Sequence, residues 1–274
     1  RGQRITNITR RENPELIFEL GERPALASVF KQFDGSLSLE WILASPWFFK
    51  GLMGSVSTTG TGPYTHTYSK TKLPQTMEVE VGVSASGANV VRNFKGVVFS
   101  SATLTAAQSE VVRVRAEMVY ADETVTTPTS VPGAIVDSFV PFAFQHATLE
   151  LPTGTTLGEV QSFELTINNN ALLVYGLGDP KAVSGIWQAF EATGRLTITL
   201  KNATFLNYLR SEVSTAKLTI STATDNKIEI NMSGLVFGEH SVSIEPNALI
   251  VEDLPIAVRD ITSIVAVNNT GTHP

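Results

Sequence analysis

The sequence predicts a mainly β protein built as two tandem, similar halves, each a strand-rich unit with one main helix against a sheet. Three observations carry this. Segments such as MEVEVGVS, VVRVRAEMVYA, VQSFELTINN and NKIEINMSG alternate apolar with polar residues or are rich in branched ones, the period of half-buried strands. A stretch near the start, GERPALASVFKQF at 21–33, returns as GDPKAVSGIWQAF at 178–190. Between the halves, TVTTPTSVPGAIVDS combines prolines, a glycine and hydroxyl residues in the manner of a linker.

Taking the elements in order, ITRRENPELIFELG at 8–21 and LTINNNALLVYGLG at 165–178 match each other just ahead of the repeated stretch. Within that stretch Leu26, Val29, Phe30 and Phe33 fall at i, i+3, i+4 and i+7, and Val183, Ile186, Trp187 and Phe190 repeat the spacing. Glu22 with Arg23-Pro24, and Asp179-Pro180, supply start signals, so a main helix is predicted over 21–33 and again over 178–190. A glycine and an alternating strand follow each, GSLSLEW at 35–41 and GRLTITL at 194–200. SPWFFKGLMG at 45–54 and TFLNYLRS at 204–211 then predict a second short helix. Further on, NFKGVVFSSATLT at 93–105 aligns with NMSGLVFGEHSVS at 231–243. The expected units are residues 1–125 and 142–274, with 126–141 as linker. THTYSKT, HATLELP, AKLTISTA and SIVAVNN complete the strand inventory.

Composition narrows function. The chain has 274 residues, 42% apolar, enough for a sizeable core, and a formal net charge of −6. Up to Val125 it holds 13 Lys and Arg against 12 Asp and Glu; the remainder holds 7 against 14. There is no basic footprint for tight phosphate binding, so any contact with nucleic acid is expected to be loose. Without cysteine there is no disulfide framework, thiolate metal site or thiol nucleophile. No signal-peptide pattern and no apolar run of about 20 residues is present, so a soluble, intracellularly made protein is expected.

No catalytic, cofactor-binding or metal-binding residue can be nominated. His66, His146, His240 and His273 lack ligand spacing; His66, in PYTHTY, is expected as an exposed strand residue and His273 as part of a tail. TTGTGP at 58–63 and GLGDP at 176–180 complete no phosphate-loop motif and read as turns or helix entries. Glu78 and Glu80 sit in a strand, and Glu252 with Asp253 in a surface segment, with no sign of a paired acid and base. The chain is therefore expected to be structural rather than an enzyme, and to need no cofactor.

The order strand, GERPALASVFKQF, GSLSLEW, SPWFFKGLMG, the glycine-rich GTGPYTHTY, LPQTMEVEVG and the KGVVFSSATLTAAQSEVVRVRAEMVYADE hairpin resembles the tail tube proteins of long-tailed, non-contractile phages and related viruses of prokaryotes. The resemblance covers nearly all of the first half and, through the repeat, much of the second. It implies two antiparallel β-sandwich or barrel domains per chain, each with a flanking helix. It further implies a virion component, made in the host cytoplasm, that self-associates into homotrimeric, pseudo-hexameric rings stacked as a hollow DNA conduit. Tape measure, terminator and tail tip proteins are the implied partners, with DNA passing transiently and no membrane insertion. Other virion structural roles, as capsid decoration, tail terminator or baseplate component, remain open, with a carbohydrate-active enzyme a distant third. Within this reading the strand faces carrying Glu78 and Glu80, or Glu229 and Asn231, are candidates for the lumen, and 55–72 and 124–139 for contact loops that order on assembly. The second half lacks a match to GTGPYTHTYSKT, so that loop is expected once per chain.

Overall fold

A computed structural model describes residues 4–20, 25–85, 88–126, 140–199, 211–238 and 251–271. The first half contains β1 (Arg4–Arg11), β2 (Pro14–Ile17), β3 (Ala27–Phe30), β4 (Asp34–Ile42), α1 (Phe48–Met53), β5 (Gly54–Thr59), β6 (Tyr64–Lys70), β7 (Met77–Ala85), β8 (Ala88–Ala107), β9 (Arg113–Tyr120) and β10 (Asp122–Thr126). A 3-10 turn at Phe144–His146 leads into the second half. Its strands are β11 (Ala147–Glu150), β12 (Thr156–Leu157), β13 (Val160–Asn168), β14 (Leu172–Tyr175), β15 (Ala182–Ile186), β16 (Glu191–Thr199), β17 (Val213–Ala223), β18 (Asn226–Phe237) and β19 (Val251–Asn268). The protein is mainly β, as its alternating segments predict.

Ladder register repeats between the halves. Arg11 faces Asp34 across β1 and β4, and Asn168 faces Glu191 across β13 and β16, both residues shifted by 157. Val98 faces Val119 across β8 and β9, and Val236 faces Ala257 across β18 and β19, both shifted by 138. Ser36 opposite Val119 is answered by Thr193 opposite Ala257. Even the bend in the long strand is kept. Gly96 (φ 63°) and Gly234 (φ 66°) adopt left-handed backbone, the first where β8 passes from β10 to β9 and the second where β18 passes from one stretch of β19 to the next. A Cβ there would meet the Cβ of Ala121 at 2.9 Å and that of Arg259 at 2.8 Å, so glycine is required twice over.

The predicted main helices do not form. Residues 27–30 are β3, paired with β2, and 182–186 are β15, paired with β14, giving two equivalent two-stranded arms. Leu26, Val29 and Val183 are exposed, so a helix would have had no apolar surface to bury its stripe against. The strand-forming runs PELI and LLVY instead offer each segment a hydrogen-bonding partner. The short helix expected in 45–54 is α1; its expected counterpart at 204–211 lies almost wholly outside the described residues, as do 127–139 of the linker and the ends of the repeated stretches at 21–24 and 200.

The difference of 19 between the two shifts marks extra chain in the first half, the β5–β6 hairpin. Expected as a mobile contact loop, 55–72 is instead mostly ordered strand. β6 adds to the edge of β19, from Tyr64 opposite Asn268 to Tyr68 opposite Ile264. His66, expected to be exposed, is fully buried there; its Nδ1 lies 2.8 Å from Thr58 Oγ1, and its Nε2 lies 3.1 Å from Asn268 Oδ1 and 3.0 Å from the Thr270 carbonyl.

Both halves share one core. Leu37, Phe94, Val97 and Met118 of the first are contiguous with Leu165, Leu196, Ile230 and Leu254 of the second. Helix α1 lies over their boundary. Phe48, Phe49 and Leu52 close a small apolar hollow with Ala102, Leu104 and Val114 on one side and Leu165, Ile167 and Ile230 on the other. Gly54 ends the helix in the left-handed conformation (φ 98°), and Asn169, buried on β13's exit, donates to the Leu52 carbonyl at 2.8 Å.

Candidate functional site

The surface that distinguishes this fold is the face where the halves meet. The second part of β8 pairs with β13 over seven positions, from Ser101 opposite Asn168 to Ala107 opposite Ser162. The resulting sheet path runs β1-β4-β9-β8-β13-β16-β19-β18-β17-β11-β12 without a break. Along β8, Ala102, Leu104 and Ala106 point to the core, which turns Ser101, Thr103 and Thr105 outward. Ser162, Glu164, Thr166 and Asn168 of β13 stand on the same outer face, opposite the buried Phe163, Leu165 and Ile167.

This face is rich in hydroxyls, and they are linked across strands. Thr103 and Thr166 hydroxyls lie 2.9 Å apart over the junction, and Ser162 and Thr197 hydroxyls 2.8 Å apart on the next ladder. Three of its arginines, Arg195, Arg113 and Arg115, are matched by carboxylates. Arg195 Nε donates to Asp253 at 2.6 Å, Arg113 to Glu40 at 3.3 Å, and Arg115 to Glu117 at 3.1 Å; Glu117 also accepts from the Ser38 hydroxyl. Exposed pairs of this kind add little stability. Their effect here is electrostatic, since each guanidinium has a local counter-charge.

The two ends of the repeat differ in how their edges are used. β13 offers one edge to β16 and the other to β8. Its counterpart β1 pairs with β4 alone, and its other edge has no ladder partner among the described residues. β1 is held on its inner side by Tyr120, whose hydroxyl donates to the Thr9 carbonyl at 3.0 Å. Burial and the nearby Glu123 push the Tyr120 phenol up to about 12, while hydrogen bonding from Arg92 holds Glu123 below its usual range.

Of the residues singled out from sequence, Glu78 and Glu80 are exposed on β7, which pairs with the first part of β8 and lies off the continuous path. Glu229 and Asn231 are half-buried on β18, Glu229 3.3 Å from Lys227 and Asn231 donating to Ser263 at 3.1 Å. Asp253 belongs to the hydroxyl-rich face. Glu252, expected on the surface, is fully buried, and neither carboxylate oxygen has a hydrogen-bond partner among the described residues. His146 Nδ1 accepts from the Ala143 amide at 3.0 Å; His240 and His273 lie outside the described residues. Among the described residues no three His, Asp or Glu side chains converge in a way that could hold a metal ion. The hydroxyl rows were missed as a site, although SLS, SATLT and LTIT display them as alternate residues of adjoining strands.

A family model described as phage tail tube protein matches residues 19–258, taking in most of both halves. No curated protein matches the chain. With a match over so much of its length, the chain belongs to the phage tail tube protein family, structural components of the virion tail that assemble with themselves and with other tail proteins.

Proposed function

We propose that this chain is the major tail tube subunit of a long, non-contractile tail. Residues 1–125 and 142–274 act as two tube-wall domains joined by 126–141, and three chains close a pseudo-sixfold ring. The observation that carries the reading is the β8–β13 junction, which supplies a template for the contact between chains. β1 is the counterpart of β13, and the edge that β13 gives to β8 has no ladder partner on β1 among the described residues. A strand of a second chain added to that edge of β1 repeats the internal β8–β13 ladder between chains and covers an edge that is otherwise open.

In such a ring the outer face of the continuous sheet lines the lumen. Hydroxyls and arginines already matched by carboxylates offer DNA phosphates few free cations, so few condensed counterions are released and the duplex slides with little affinity. Rings stack through the arms, on which Ile17, Leu20, Leu26 and Val29 and their counterparts Val174, Leu177, Val183 and Ile186 are exposed in both halves. Stacked rings form the conduit through which DNA leaves the virion, assembled in the host cytoplasm with tape measure, terminator and tip proteins at its ends.

The test is negative-stain electron microscopy across a concentration range, with mass determination of the smallest ring. Hollow filaments with three chains per ring are expected. A chain that stays monomeric even with its own tail partners would remove the reading, and rings that never stack would point to a terminator.

A further inference from the structure

The arms, not only the sheet edges, are unequal in their surroundings. The β14–β15 arm lies back across the first half. Tyr175 Oη donates to the Phe33 carbonyl at 2.7 Å, the Phe33 amide donates to the Pro180 carbonyl at 2.9 Å, and Trp187 Nε1 donates to the Phe99 carbonyl at 3.0 Å. At the centre of the contact the backbone of Gly185 rests on Val98: a Cβ there would stand 2.6 Å from Val98 Cγ2 and 3.4 Å from its Cβ. Val98 is accordingly 0% exposed.

Shifted by the same intervals, the equivalent acceptor on the second half is Val236, with Phe190 in place of Phe33. Among the described residues nothing covers it in the same way, and Val236 is 47% exposed. The equivalent arm, β2–β3, has no matching contact among the described residues either. Leu16 and Phe18, counterparts of the half-buried Leu173 and Tyr175, are both exposed, and Ser28 stands where Gly185 does. The chain thus carries one arm without a seat and one seat without an arm, in the same relative positions that are filled once internally.

We infer that the β2–β3 arm of each chain docks on the Val236 face of a second copy, Ser28 against Val236 and Phe18 against Phe190. The contact is heterologous, head to tail, and so closes around a ring rather than pairing two chains. Burial of Leu16, Phe18 and Val236 supplies apolar area that a backbone ladder lacks. The inference rests on the ring reading above and adds a second, side-chain-specific contact within it.

The absence of cysteine makes a clean test available. S28C and V236C are made singly and together, assembled, and oxidised or treated with a short bis-maleimide; G185C/V98C, which joins within one chain, calibrates the chemistry. Cβ atoms about 3.5–4.5 Å apart suit a disulfide. The expected result is covalent dimers and trimers from the double variant, and a covalent dimer when S28C chains are mixed with V236C chains. Rings of normal mass that give no inter-chain product, while the internal control closes, would overturn the arm contact and leave the ring standing. Failure of every variant and of the parent to associate would overturn the ring reading and this inference with it.

Discussion

The first and second halves hold the same ladders in the same register, yet they fill equivalent interior and edge positions differently. Val114 of β9 is buried in the first half; its counterpart, 138 residues on, is Glu252, buried and unpartnered among the described residues. Val98 is covered by an arm and Val236 is open. Helix α1 seals the first half's boundary, and the β5–β6 hairpin is extra chain without a counterpart among the described residues of the second. Backbone pairing tolerates these changes because a ladder depends on strand spacing and alternation rather than on which side chains are used. The two halves can therefore keep one scaffold while their contacts diverge.

The largest effect expected along this comparison is at α1. F49A removes a buried ring at the boundary and should cost about 3–5 kcal/mol, with both halves losing stability together in one transition. Two separate urea transitions would show instead that the halves unfold independently. E252V should stabilise the second half by about 1–3 kcal/mol, because it replaces an unsatisfied buried carboxylate with the residue its counterpart already uses. An unchanged or lowered Tm would mean that the carboxylate has a partner of its own. G96A and G234A should each cost about 1–3 kcal/mol and by similar amounts, since both force a side chain into left-handed backbone against a neighbour. A large inequality in urea midpoints would break the equivalence of the two bends.

The smallest effect concerns pH and belongs to the first half alone. Glu123 is held below its usual value chiefly by Arg92, and the corresponding positions in the second half are Ile261 and Ile230. A carboxylate depressed in the folded state stabilises above its unfolded pKa, and that contribution disappears as pH falls through the folded value. The Tm difference between the protein and E123Q should therefore be present at neutral pH and shrink as pH drops below 4.5 toward the depressed value. A difference that stays constant over that range would assign Glu123 a packing role instead.

Strand content was legible because alternation is local: MEVEVGVS and NKIEINMSG became β7 and β18 as read. The arms were misread because Leu26, Val29, Phe30 and Phe33 fit a helical stripe, while the deciding fact, pairing with PELI, is a property of two segments. THTYSKT was seen as a strand but its partner was not, since β19 lies about two hundred residues away. Glu252 could have been found by phase alone. Leu254, Ile256 and Val258 face inward, and the alternation that places them there carries Glu252 in as well. The hydroxyl-rich face was spelled out in Ser and Thr at alternate positions, but only the strand order brings those rows together.

Because β6 completes its pairing on β19, the early part of the polypeptide waits for β19 to be made. At about 5–20 residues per second, the roughly two hundred residues separating His66 from Asn268 take on the order of 10–40 s to emerge from a ribosome. During that interval the hairpin has an unpaired edge, so a nascent or truncated chain cannot present the finished surface. A chain that stops short of β19 therefore lacks both the ladder that covers β6 and the burial that His66 has in the folded protein.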